Sequence, residues 1–108
     1  MNGRYILDGH KPVEEPDLFK WAEWYETADR HVRDTFQGDD VRVSTVFLAL
    51  DHSVGHGPPL LFETMVFVNG VGEDCERYST WAEAEEGHAN MVAKIFKPTP
   101  ILALPEKP

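Results

Sequence analysis

Apolar residues recur along this chain with two different periods, and the switches between them predict most of its elements. Residues 5–7, Tyr-Ile-Leu, form a short apolar run closed by Asp8-Gly9, which predicts a first strand and a turn. Residues 10–15 read as a linker. From Pro16 the period changes. Leu18, Trp21, Ala22, Tyr25, Ala28 and Val32 recur at helical spacing, with Phe19 and Trp24 off the stripe. Proline suits a first helical turn, and Glu14, Glu15 and Asp17 place negative charge beside the helix N-terminus. Arg30 and Arg33 then fall near the expected C-terminal end, and residues 37–40, Gln-Gly-Asp-Asp, predict a turn.

Residues 41–50, Val-Arg-Val-Ser-Thr-Val-Phe-Leu-Ala-Leu, carry the strongest strand signal. They are β-branched, lack Gly and Pro, and become apolar on both faces toward Leu50. Residues 51–59 form a Gly/Pro-rich loop, longer than a tight hairpin needs. Residues 60–68 are the next strand, ended by Asn69-Gly70. Residues 71–76 read as a turn into a short strand at 76–78. Thr80-Trp81-Ala82-Glu83 fits a capping box, and Trp81, Ala84, His88, Met91, Val92 and Ile95 make the apolar stripe of a second helix. Gly87 is a weak point in that helix, at about 1 kcal/mol relative to alanine. Pro98 stops it, which sets a single domain at 1–97 and a Pro-rich tail at 98–108. The order β-α-β-β-(β)-α predicts an α+β fold of two layers, a small antiparallel sheet with two helices packed on one face.

Charge narrows the partners. The chain of 108 residues has a formal net charge of −9, and the two halves carry −5 (residues 1–54) and −4 (residues 55–108), so there is neither an acidic tail nor a basic arm. Ten basic residues against nineteen acids make a poor ligand for phosphate backbones or an anionic membrane, whereas a basic partner is attracted. The single cysteine, Cys75, allows no internal disulfide and no multi-cysteine zinc site, and its acidic neighbours should raise the thiol's pKa. No leader pattern and no apolar run of about 18 residues is visible, so a cytoplasmic, soluble protein is expected.

The candidate chemistry is sparse. Asp51, His52 and His56 share the 51–59 loop, and imidazole with carboxylate is zinc chemistry, yet a site needs three or four ligands and four-residue spacing means little outside a helix. No cofactor is therefore called for, zinc or another divalent ion being the one this loop could hold. Glu63 stands inside a strand. Pairing Leu50 with Leu60 would set it opposite Phe47, on one face with Leu61 and Met65, as an exposed residue, an arginine partner or a functional acid. His88 lies on an apolar stripe without a nucleophile motif, which favours a hydrogen-bonded, partly buried histidine over a general base. Gly55-His56-Gly57 and Gly70-Val71-Gly72 lack the rest of a phosphate-binding fingerprint.

Phe19, Trp21, Trp24 and Tyr25 spread too far around their helix for one core to absorb all four, and the surplus suggests a protein interface or self-association. The acidic runs at 14–17, 73–76 and 83–86 read as solvated faces, or as phosphate mimicry toward a basic groove. Three readings follow. The leading one is a small acidic accessory protein that binds a protein partner or itself. The second is a metal-dependent or histidine/carboxylate enzyme built on the 51–59 loop, Glu63 and His88. The third is a nucleic-acid mimic.

The segments 42–52 (Arg-Val-Ser-Thr-Val-Phe-Leu-Ala-Leu-Asp-His) and 58–67 (Pro-Pro-Leu-Leu-Phe-Glu-Thr-Met-Val-Phe), with Asn2-Gly3-Arg4-Tyr5, Trp21-Ala22-Glu23-Trp24, Arg77-Tyr78-Ser79-Thr80-Trp81 and Gly87-His88, carry a resemblance. Up to about Val92 the chain resembles a group of short, uncharacterised bacteriophage and bacterial proteins with no assigned activity. The resemblance implies a phage or prophage setting and supplies no catalytic residue; together with the aromatic surplus and the acidic balance, it makes a host defence or regulatory complex the partner expected under the leading reading.

Overall fold

The computed structural model describes residues 3–96, so the Pro98 stop and the 98–108 tail lie outside the described residues. The chain begins with a hairpin of β1 (Tyr5–Asp8) and β2 (Lys11–Glu14), followed by α1 (Leu18–Thr27). Four strands then run as a meander, β3 (His31–Gln37), β4 (Val41–Phe47), β5 (Phe62–Val68) and β6 (Val71–Tyr78), and α2 (Trp81–Ile95) closes the order. The four-stranded sheet is antiparallel throughout, in the order β3-β4-β5-β6, beside the separate two-stranded β1-β2 sheet. The architecture is α+β, as the pattern predicted.

Two segments differ from the sequence expectation. Residues 10–15 are mostly strand: Lys11–Glu14 pair with Tyr5–Asp8, and Pro12 is tolerated because this ladder has only one neighbour. The first helix is shorter at both ends. Asp17, not Pro16, opens it, and its carboxylate accepts the Phe19 and Lys20 N–H groups at 2.9 and 3.1 Å. The helix stops at Ala28, and Asp29 takes the His31 N–H at 3.0 Å, turning the chain into β3. Val32 fits the helical period from Ala28 and the strand equally well. The tertiary ladder with β4 decides it.

The hairpin between β4 and β5 is shifted by one residue from the expected pairing. Phe47 faces Phe62 and Glu63 faces Val46. A one-residue shift moves every side chain to the other face, and this register sends both phenylalanines inward, with ring centroids 5.2 Å apart, and Glu63 outward. The ladder ends at Phe47 because Ala49 adopts a left-handed φ of 66°. Leu61, which precedes β5, leaves the regular alternation and is buried in the core instead of sharing Glu63's face. β6 extends over eight residues where a short strand was expected.

The core lies on one face of the sheet. Val43, Thr45 and Phe47 from β4 and Phe62, Thr64 and Val66 from β5 point inward, beneath Ala84, His88 and Met91 of α2. Phe47, Ala49, Leu61, Phe62 and Ala84 form one cluster, and Val43, Val66 and Met91 form another. Helix α2 begins with the predicted capping box: Thr80 accepts the Glu83 N–H, while Glu83 accepts the Thr80 N–H, both at 3.1 Å. The β1-β2 turn docks on its first residue, with His10 stacked on Trp81 at 3.7 Å.

Candidate functional site

The aromatic run on α1 is mostly consumed by packing. Trp21, Trp24 and Tyr25 all lie against the Phe47 cluster. Trp24 meets Phe47 edge-on at 5.8 Å, and the Trp21 Nε1–H donates to the Tyr5 and Ala49 carbonyls at 3.1 and 3.2 Å. Tyr25 lies under the Arg30 guanidinium at 4.2 Å. Of the four predicted binding residues only Phe19, 84% exposed, stands in solvent, beside Leu18.

The loop residues do not converge. The Asp51 carboxylate accepts the Ser53 and Leu60 N–H groups at 2.8 and 3.0 Å, so it ties the loop's two ends together. Hydrogen bonds from Ser53, through side chain and backbone, and from Leu60 hold its carboxyl below the ordinary range. His52 and His56 are exposed. Among the described residues no three His, Cys, Asp or Glu side chains gather where one ion could bind.

Glu63 and His88 lie on opposite faces of the sheet. Glu63 accepts the Arg77 Nε–H at 2.9 Å and the Cys75 thiol at 3.3 Å. Burial first, and then Glu63, push that thiol up and out of the reactive range. His88 is 2% exposed in the middle of the core. Its Nε2 meets the Thr35 hydroxyl at 2.8 Å and its Nδ1 meets the Thr45 hydroxyl at 2.7 Å. Thr45 in turn bonds Thr64. One polar chain therefore links β3, β4, β5 and α2. Burial, reinforced by the Arg33 charge and opposed by Asp34, lowers the His88 pKa. The imidazole is neutral near pH 7, with one N–H and one lone pair for its two hydroxyl partners. This arrangement holds the core in register and offers no substrate access.

Two surface features emerged that sequence reasoning had missed. The first is the open face of the sheet. Helix α2 covers the inner face and α1 closes one end of the core beside Phe47, so no helix among the described residues covers the outward residues of the strands. They form cross-strand rows. Phe36, Arg42 and Phe67 are successive partners, and the Arg42 guanidinium sits 5.6 and 5.8 Å from the two rings. Asp34, Ser44, Met65 and Cys75 form the next row, and Val46, Glu63 and Arg77 the third. The charges pair within the face: Asp34 with Arg42 at 3.0 Å, and Glu63 with Arg77 at 2.9 Å. Burial would push the Asp34 carboxyl up, but hydrogen bonds from Arg42 and Ser44 and the Arg42 charge outweigh it and hold it down. Phe36 is 62% exposed.

The second feature is a groove between β6 and α2. Tyr78 lies across it against Gly87, where a Cβ would overlap the phenol ring. The glycine that looked like a helix weakness is a close-packing site. On either side of this contact open clefts of about 350 and 200 Å³.

No protein-family model, curated protein or solved structure matches this chain.

Proposed function

We propose that this chain is a non-enzymatic accessory protein that binds a protein partner through the open face of its four-stranded sheet. The observation that carries this reading is the pairing pattern on that face. Exposed Phe36, with Val46, Met65 and Phe67, supplies apolar area; the charges within its rows, Arg42 with Asp34 and Glu63 with Arg77, lie beside their counter-charges, while Asp39 and Asp40 stand at the rim next to Phe36 and Phe67. The centre of such a surface can be desolvated against a partner without stranding an unpaired charge, and aromatic and arginine residues are typical anchors of protein interfaces. The resemblance alone supports a phage-type setting, in which a host defence or regulatory complex would be the partner.

The enzymatic reading loses its support because His52, His56, Glu63 and His88 do not share a site. The mimicry reading is weakened because Asp34, Glu63 and Asp74 are neutralised by neighbouring bases. No helix among the described residues is long and apolar enough to cross a membrane.

Affinity capture from host lysate, with Phe36→Asp and Phe67→Ser compared with Phe19→Asp, tests the proposal. Loss of the captured protein with the two sheet variants and its retention with Phe19→Asp is the expected result. Loss with Phe19→Asp alone would move the interface to α1, and capture indifferent to all three would refute the sheet face.

A further inference from the structure

The groove beside β6 carries a second inference, separate from the open face. We propose that the outer edge of β6 and the groove between β6 and α2 form a docking site for an extended basic segment of a partner, which adds to the sheet as a fifth strand. Three observations on different levels lead there.

The first is backbone. Among the described residues β6 is the last strand of the sheet and pairs with β5 alone, so its other edge has no ladder partner, with the Cys75 N–H taken by the Asp74 carboxylate at 2.8 Å. An extended peptide gains main-chain hydrogen bonds on such an edge whatever its sequence.

The second is shape. The clefts open beside this edge, on the helix side of the sheet, and Tyr78, Gly87 and Asn90 line both of them. Side chains of an added strand alternate between faces, with like-facing residues about 7 Å apart. Its inward side chains would enter the clefts on either side of Tyr78, while its outward side chains would extend the row of Met65 and Cys75.

The third is charge, and it selects the occupant. Glu76 borders the smaller cleft and Glu86 the larger, and neither makes an ion pair among the described residues. Glu83 is spent on the helix cap, and the two bases that line the clefts are held by other acids, Lys94 by Asp74 at 2.9 Å and Arg77 by Glu63 at 2.9 Å, although Lys94 also feels the Glu76 charge. Among the described residues the balance of charge on the rim is therefore negative. Charged residues on an edge strand discourage like strands. A second copy would bring its own Glu73, Asp74 and Glu76 against this edge and be repelled. A strand with lysine or arginine at alternate positions would be attracted, with its apolar residues on the other face.

The test uses the isotope-labelled full chain and the peptide Lys-Val-Lys-Val-Lys-Val, followed by amide chemical shifts and amide hydrogen exchange. The expected result is shift changes confined to residues 72–78 and the facing turns of α2, with slowed exchange along β6. The glutamate counterpart should not bind, and the lysine peptide N-methylated at alternate residues should lose strand addition while keeping its charge. Glu76→Lys with Glu86→Lys, checked for an unchanged melting temperature, should weaken binding by roughly fivefold to tenfold. Shifts spread over every acidic surface, unaffected by N-methylation, would overturn the proposal. So would absence of binding, or shifts centred on Phe36 and Phe67. The last outcome would leave the sheet-face reading standing, and loss of partner capture by Phe36→Asp would leave this one standing.

Discussion

His88 is the residue on which the interior depends most. A buried imidazole with both nitrogens bonded to threonine hydroxyls joins α2 to β3 and β4, and the chain continues to Thr64 on β5. Replacing it by alanine leaves a cavity and breaks two hydrogen bonds, so His88→Ala should lose about 2–4 kcal/mol in chemical denaturation. Its pH dependence has a definite sign. The folded pKa lies below the value of about 6.5 expected for an unfolded chain, so between the two the unfolded state binds the extra proton. This contribution is complete above about pH 6.5 and is lost as pH falls from there through the folded pKa. The depressed carboxyls of Asp34, Asp51 and Asp74 act in a separate window, their contribution being lost only as pH falls below about 4. Melting temperature against pH should therefore fall in two stages, and His88→Leu should remove the upper one. The histidine's structural role was legible in its place on an apolar stripe. Of its two partners, Thr45 sits mid-strand between inward apolar neighbours, as does Thr64 beyond it, whereas Thr35 lies on β3, which the sequence did not show as a strand. Nor did the sequence show the register that sets Thr45 and Thr64 opposite each other.

At the scale of elements, α2 is where local signals and tertiary structure agree. Thr80→Ala should cost about 1 kcal/mol of stability by losing the cap. Gly87 behaves against its propensity. Alanine would improve the isolated helix by about 1 kcal/mol, yet its Cβ would meet the Tyr78 ring. Gly87→Ala should thus destabilise by roughly 1–3 kcal/mol, and the double variant with Tyr78→Leu should recover part of the loss, which a double-mutant cycle by denaturation measures. The elements that were illegible are those made by pairing. Val32 satisfies both periods, and Lys11–Glu14 has little strand character of its own. Each became a strand because a neighbour supplied the ladder. By contrast β4, β5 and α2 were readable, because their apolar positions serve one core face and their termini carry caps or turns.

For the whole molecule, the consequence of that topology is an asymmetry between faces. The surplus of aromatics that pointed to α1 as an interface is largely packed against Phe47, since the hairpin and α1 together close one end of the core. The sheet's far side, with Phe36, Arg42 and Phe67 in one row, was hidden in the sequence because β3 was not visible as a strand. Phe36 makes its ring contact with Arg42 at the surface, so Phe36→Asp should cost only about 1 kcal/mol of stability, from the lost cross-strand pair and the poor strand propensity of aspartate, and leave the fold intact. Its main effect belongs to binding. The most direct measurement is a hydroxyl-radical footprint of the chain alone and in complex with its captured partner. The account predicts strong protection of Phe36, Met65 and Phe67 and unchanged labelling of Phe19. Protection of Phe19 with Phe36, Met65 and Phe67 still fully labelled would contradict it.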